Sequence, residues 1–262
     1  MILIQGKIDS FNPSFHFKRI ISLVPSITWL LYDYKLASNL IAVTKFCEIP
    51  EQFNSTTIRI GGTKNPDLDK IRLLKPDLII ANKEENNKPD VEALSKDSVV
   101  YLSDIFDLDS MYQMMAELGI LTGMSNIANQ WIQNIKDRYN LFKSNALFPH
   151  KFNIVYLIWR APYMTVGRDT FIHYMLLQAG FVNIFSEYQR YPQINLNDIQ
   201  FRNPDAIFLS SEPYPFKHHH QIEFLPIKST LVDGRMFSWY GTYTIRSFDY
   251  LNALKQSLNN NL

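Results

Sequence analysis

The sequence predicts an α/β protein of two similar lobes, each built on a parallel sheet, with one long α-helix joining them. Three observations carry this. Short β-branched runs alternate with helical patterns along both halves of the chain. A Pro-Asp pair leading into such a run occurs twice, at Pro76-Asp77 and Pro204-Asp205, at similar distances from the first strand of its half. Between the halves lies an uninterrupted helical pattern of roughly 22 residues, or about 33 Å. The Pro-Asp junction alone is a common way to pass from helix to strand. The long helix between its two copies favours an internal duplication.

Each element follows from local chemistry. Residues 19–24 (RIISLV) form a β-branched run ending at Pro25, the pattern of a buried parallel strand. Ser26 stands where a helix N-cap belongs, before Ile27, Leu30, Leu31 and Tyr34 at helical spacing. A second strand is expected over 39–44. Gly61 and Gly62 give a tight turn. Residues 68–74 read as a short helix stopped by Pro76, and 77–81 as the next strand. A helix over 89–95 and a strand over 99–102 follow. Residues 109–121 form one helical pattern closed by Gly123. Ser125 then caps the long helix, in which Ile127, Trp131, Ile135 and Tyr139 recur every fourth residue, and which runs to about residue 147. Beyond it, 153–158 is a strand and 169–179 a helix followed by Gly180. Residues 194–199 lead to Asn203, Pro204 and Asp205 and the strand 206–209. The expected division is an N-terminal lobe over 1–123, the backbone helix over 124–147 and a C-terminal lobe over 148–262.

Bulk properties exclude several classes. A chain of 262 residues with 46% hydrophobic and 19% charged residues is an ordinary globular composition. A formal net charge of +1 gives no electrostatic reason to expect nucleic acid or an anionic membrane as partner. No window reaches the roughly 18 apolar residues of a spanning helix, so no membrane insertion is expected. Cys47 is the only cysteine, which excludes an intrachain disulfide, and it has no apolar leader before it as a lipoprotein anchor would. In residues 1–10 the polar Gln5, Lys7 and Asp9 interrupt the apolar run, so a cytoplasmic location is expected as the sequence reads. Aromatics concentrate in the second half, which permits an aromatic binding wall as well as a core.

Seven ordered motifs carry a resemblance: RIISLVPS at 19–26, GGTKNPDLDKI at 61–71, LKPDLIIANKEEN at 74–86, IWRAPYMTVGRDTF at 158–171, RYPQINLNDI at 190–199, SSEPYPF at 210–216 and LVDGRMFSWYG at 231–241. Together they resemble the class III, or helical-backbone, solute-binding proteins of ABC importers. That group contains the vitamin B12 and iron-chelate receptors, and the cobalamin-binding branch is the most similar. The resemblance implies two Rossmann-like lobes joined by a backbone helix, with the ligand cleft between lobes. It implies no catalytic residues, no intrinsic cofactor and a monomer. The ligand it implies is a large metal chelate, cobalamin or another corrinoid first, with haem or a ferric siderophore second. One departure is Trp29 after Thr28, where the family usually has Glu. The cytoplasmic expectation is a second, since such receptors work outside the membrane.

Open α/β sheets bind ligands beyond the carboxyl ends of their strands. The candidates are therefore Phe46, Thr63, Lys64, Asn82, Glu84, Glu85 and Asn86 from the N-lobe. From the C-lobe they are Trp159, Arg160, Arg168, Tyr191, Glu212, Tyr214, Trp239 and Tyr240. Planar aromatics with charges of both signs suit a broad amphipathic ligand rimmed by amides or carboxylates. Trp159, Tyr191 and Trp239 match aromatic ligand contacts of the B12-receptor branch, and the two tryptophans read equally as core. Arg160 and Arg168 can grip carboxylates bidentately, or pair with Glu84, Glu85 or Glu212. By the resemblance, Asp69 and Asp198, in the Asn197-Asp198 pair, match the acidic residues that dock onto the importer's membrane subunits. Both read equally as helix-start carboxylates.

His218, His219 and His220 cannot all reach one ion from a single regular element, so no metal site is expected there. His16, His150 and His173 are isolated. Ser26 with His173 is the pair an enzyme would use, yet no nucleophile elbow or phosphate loop accompanies it. The expected function is a receptor that clamps a metal chelate for ABC-type uptake. The alternatives are a cytoplasmic chelate carrier or sensor, and an enzyme on the same fold.

Overall fold

The computed structural model describes residues 3–4, 16–50, 57–144 and 151–260. Two compact units emerge: Met1–Lys136 with Tyr240–Tyr243, and Asp137–Trp239 with Thr244–Leu262.

Unit 1 runs β1 (Leu3–Ile4), β2 (Ile20–Ser22), α1 (Pro25–Asp33), β3 (Leu40–Val43), β4 (Ile58–Arg59), α2 (Leu68–Leu73), β5 (Leu78–Asn82), α3 (Lys88–Leu94), β6 (Val100–Ser103) and α4 (Leu108–Thr122), and takes in the start of α5 (Ser125–Ser144). Its six strands pair in the order β1-β6-β5-β2-β3-β4, and every pairing is parallel. One face of the sheet buries Ile21, Leu23, Ala42, Ile79, Ala81 and Val100 against Ile71 of α2 and Val91 and Leu94 of α3. Each fully buried Val, Leu or Ile side chain among them contributes roughly 1.5–3 kcal/mol.

Helix α1 begins at Pro25, with Val24 in the cap position and no side-chain cap. Ser26 is therefore buried inside the helix and is not its cap. Proline needs no N–H partner and its fixed φ suits the first helical position, which moves the helix start one residue ahead of the serine. Ser22 does the local work instead, accepting from Val24 N and from Thr28 Oγ1. Trp29, the departure from the family pattern, packs edge-on against Tyr243 at 5.6 Å. Gly123 closes α4 with φ 74, as its position predicted, and the His16 ring lies where a Cβ would project. Helix α5 begins at Ser125 itself, and the Met124 carbonyl accepts from Ala128 N. Its expected end near residue 147 lies outside the described residues, as does His150.

After α5, unit 2 contains β7 (Phe152–Leu157), β8 (Tyr163–Met164), α6 (Phe171–Gln178), β9 (Phe181–Asn183), β10 (Gln193–Ile194), α7 (Leu196–Arg202), β11 (Ala206–Ser210), a 3-10 helix (His218–Phe224), β12 (Ser229–Val232), α8 (Arg235–Ser238) and α9 (Thr244–Asn259). Its parallel sheet has the order β12-β11-β7-β9, and β10 and β8 form a separate antiparallel pair. Val155, Leu157, Ile207 and Leu209 bury one sheet face against Phe185, Ile199, Phe216 and Phe224.

The two Pro-Asp junctions share one construction. Asp67 and Asn195 cap α2 and α7, accepting from Lys70 N and Asp198 N. Ile71 and Ile199 are the buried residues of the two helices. Lys75 and Asn203 both take positive φ, at 46° and 45°, where the chain leaves the helix. The following aspartate then clamps the start of a strand of its own unit, β2 or β7. Asp77 accepts from Lys18 N at 2.9 Å and Arg19 N at 2.8 Å, and Asp205 from Asn153 N at 2.6 Å. Their backbones reciprocate, with Asp77 N on the Arg19 carbonyl and Asp205 N on the Asn153 carbonyl. A parallel strand entering mid-sheet leaves its first N–H groups unpaired, and a carboxylate is the strongest neutralising acceptor for them.

Candidate functional site

In unit 1 the candidates cluster on the loops that follow β3, β4 and β5. Gly61 (φ 88) forms an isolated bridge to Pro66, and Gly62 N donates to the Asn65 carbonyl, which turns the chain tightly at Thr63 and Lys64. Asn82 and Asn86, expected to meet ligand, are instead buried clamps. Asn82 Oδ1 accepts from Glu84 N and Glu85 N, and its amide donates to Ser103. Asn86 Oδ1 accepts from Asn82 N, and its amide reaches the Leu23 and Thr63 carbonyls. Short amides at a strand end satisfy loop backbone groups before they can meet a ligand. The same loop holds Lys64, whose Nζ donates to the Glu84 carbonyl at 2.6 Å, and leaves Glu84 and Glu85 partly exposed. Phe46 is 57% exposed with Lys45 Nζ 5.0 Å from its ring centre. Tyr240, expected in the C-terminal lobe, belongs to unit 1 and is buried.

In unit 2 the candidate aromatics differ in exposure. Trp159 follows β7, is 40% exposed, and stands edge-on to Tyr214 at 5.7 Å. Tyr214 in turn meets Phe216 and His220, and its hydroxyl lies 3.4 Å from His220 Nε2. His220 is buried, and its Nδ1 accepts from Lys217 N, whereas His218 and His219 are exposed. Trp239 is only 8% exposed, with the Arg235 guanidinium 5.8 Å from its ring centre, so it is a core residue.

The arginines are also placed differently. Arg160 makes a forked pair with Glu223, Nε at 3.0 Å from both oxygens and Nη2 at 3.0 Å from Oε1, and Tyr163 donates to the same carboxylate. Two donors on one carboxylate outweigh its partial burial and hold Glu223 below the usual carboxylate range. Glu223 and Tyr163 are thus partners of the candidate Arg160 that the sequence reading did not name. Arg168 donates to the Glu187 carbonyl at 2.7 Å. Glu212 accepts from Ser238 Oγ at 2.9 Å, and burial pushes its carboxyl above the ordinary value. Tyr191 is half-buried beside β10. His173 accepts at Nδ1 from the Asn183 amide and is held below its ordinary value by burial. Among the described residues no three His, Cys, Asp or Glu side chains gather as metal ligands. Cys47 is buried between Thr28 and Thr44, and burial pushes its thiol up.

The two proposed docking carboxylates are not equivalent. Asp69 lies in the first turn of α2, fully in solvent beside Arg72 at 3.1 Å. Asp198 is the third residue of α7, and its carboxylate accepts from Asn195 N at 2.9 Å in a capping box. Counting from the caps Asp67 and Asn195, Asn197 is the counterpart of Asp69.

Comparison with known proteins fits this geometry. The chain is 24% identical over 237 residues to the vitamin B12-binding protein of Vibrio cholerae, covering 88% of this chain and 86% of the relative. The crystal structure of the periplasmic vitamin B12 binding protein of Vibrio cholerae superposes with a TM-score of 0.80 at 20% identity, over 93% of this chain and 98% of that one. A periplasmic heme binding protein from Pseudomonas aeruginosa gives 0.79 at 16% identity, over 91% and 92%. Among the described residues no helix is long and apolar enough to cross a membrane. A family model described as periplasmic binding protein matches residues 20–224, so the chain belongs to the periplasmic binding protein family, whose members are substrate receptors and not enzymes.

Proposed function

We propose that this protein is the solute-binding receptor of an ABC-type importer and that it takes up a large metal chelate, cobalamin or another corrinoid first, with haem or a ferric siderophore second. The observation that supports this most is Trp159. A large indole, 40% exposed at a strand end and braced by Tyr214, offers a planar face with a forked arginine pair beside it. The vitamin B12-binding relative points to the same ligand class. Phe46, Thr63, Lys64, Glu84 and Glu85 of unit 1, with Trp159, Arg160, Arg168, Tyr191, Glu212 and Tyr214 of unit 2, are the residues proposed to contribute. Asn82 and Asn86 hold the unit 1 loops by hydrogen bonds, and Trp239 and Tyr240 are buried.

The importer's membrane subunits are the proposed partner, with Asp69 as the acidic contact on unit 1. On unit 2, the counterpart position offers the neutral Asn197, and the Asp198 carboxylate is engaged by its own helix. The cytoplasmic expectation rested on residues 1–10, of which only Leu3 and Ile4 are described, and the structural relatives named above are periplasmic. Function outside the membrane is therefore the reading proposed. Calorimetric titration with cyanocobalamin, haemin and a ferric siderophore tests the ligand class. Saturable binding of cyanocobalamin, tighter than the other two, is expected, and no saturable binding of any chelate would overturn the proposal.

A further inference from the structure

Unit 1 contains a cavity of about 370 Å³ lined by none of the candidate residues above. It lies where β6 ends and α4 begins, with Tyr101, Ser103 and Asp104 on the strand side and Gln113, Met114 and Glu117 on the helix side. Glu117 sits on the buried face of α4, among Met114, Leu118 and Leu121, and is only 8% exposed. Its Oε2 accepts from the Tyr101 hydroxyl at 2.5 Å, and its Oε1 from Gln113 Nε2 at 2.8 Å. Burial first, and the Glu117 carboxylate second, keep the Tyr101 phenol protonated far above the usual tyrosine range, so it remains a donor.

Both partners of Glu117 are neutral, and among the described residues no cation pairs with it. A buried carboxylate ordinarily stands against a positive charge. The other two charges of the lining, Lys83 and Asp104, already neutralise each other at 2.6 Å. The cavity wall therefore carries one net negative charge. Each Glu117 oxygen accepts one hydrogen bond and has a lone pair for another. One uncompensated carboxylate among hydroxyl and amide groups suits an ammonium, whereas a divalent metal calls for several charged oxygens.

We propose that this cavity, whose lining includes none of the candidate chelate contacts, binds a small organic monocation through a primary ammonium group on the Glu117 carboxylate. The proposal does not depend on the receptor reading.

Ethanolamine hydrochloride titrated into the full chain near pH 7, against a matched sodium chloride control, tests it. Binding is read from the methyl resonance of Met114 in protein labelled at methionine methyls. A saturable shift absent from the control is expected. Glu117→Gln, which keeps the shape and removes the charge, should weaken the affinity at least tenfold. Lys83→Gln, at the half-exposed pair, should tighten it several-fold by freeing Asp104. A shift that the salt control reproduces, or Glu117→Gln binding as tightly as wild type, would overturn the proposal. Should Glu117→Gln not fold, unchanged or weaker binding in Lys83→Gln would overturn it equally.

Discussion

Replacing Trp159 by alanine should weaken ligand binding while leaving unit 2 folded, and the same change at Trp239 should do the reverse. Trp159 is 40% exposed and among the described residues has one aromatic neighbour, Tyr214, in edge-on contact. Such a pair is worth about 0.5–1.5 kcal/mol. For a chain of this size, about 2–4 °C of Tm follow each kcal/mol, so Trp159→Ala should lower Tm by about 1–6 °C. Losing an aromatic ligand contact costs about 1–3 kcal/mol, roughly 5- to 150-fold in Kd. Trp239 is 8% exposed, and truncating a buried tryptophan costs about 3–5 kcal/mol, or about 6–20 °C. Cyanocobalamin titration at a temperature where both variants are folded, with calorimetric melting alongside, separates the two effects. If Trp159→Ala binds like wild type, or melts as low as Trp239→Ala, the placement of the ligand against Trp159 is wrong.

Three further outcomes follow from the same geometry. Glu212 has a folded pKa raised by burial, so it favours the folded state below its ordinary value of 4.5, and that contribution is lost as pH rises through the folded value. Glu212→Gln should thus melt higher than wild type at pH 7, with the gap closing towards pH 4, and a gap that widens on acidification would contradict this. Asp77→Ala removes acceptors from two backbone N–H groups and Asp205→Ala from one, so circular-dichroism melts should show the larger loss, about 1–3 kcal/mol, at Asp77. Asp69→Lys should cut chelate uptake by cells while leaving Kd and Tm unchanged, whereas Asp198→Lys should lower Tm by breaking its capping box. Uptake insensitive to Asp69→Lys would remove that residue from the docking surface.

Much of the architecture was legible because it rests on short-range rules. The strands at β2, β5, β7 and β11 are β-branched runs, Gly123 ends α4 because a left-handed residue must, and both Pro-Asp junctions mark a helix passing into a strand. The β8–β10 pair and α9 were not foreseen. Two-residue strands carry no periodic signal, and α9 mixes Ser247, Asp249, Asn252 and Gln256 with its buried Phe248, Leu251 and Leu254. Site chemistry was less legible because it depends on distant partners. Arg160 finds Glu223, 63 residues on, and nothing near either residue announces the pair. An amide beyond a strand serves a ligand or its own loop equally well in sequence, and only the fold commits Asn82 and Asn86 to the loop. Glu117 did leave a trace, a lone charge in the apolar stripe of Met111, Met114, Leu118 and Leu121.

The central claim is that this chain holds a metal chelate non-covalently. Its most direct test is to incubate the purified protein with excess cyanocobalamin, desalt it, and record the visible spectrum of the protein peak. The account predicts about one corrinoid per chain in wild type and a clear loss in Trp159→Ala. A colourless wild-type peak after cyanocobalamin, haemin and ferric siderophore alike, from protein that is folded by circular dichroism, would contradict it.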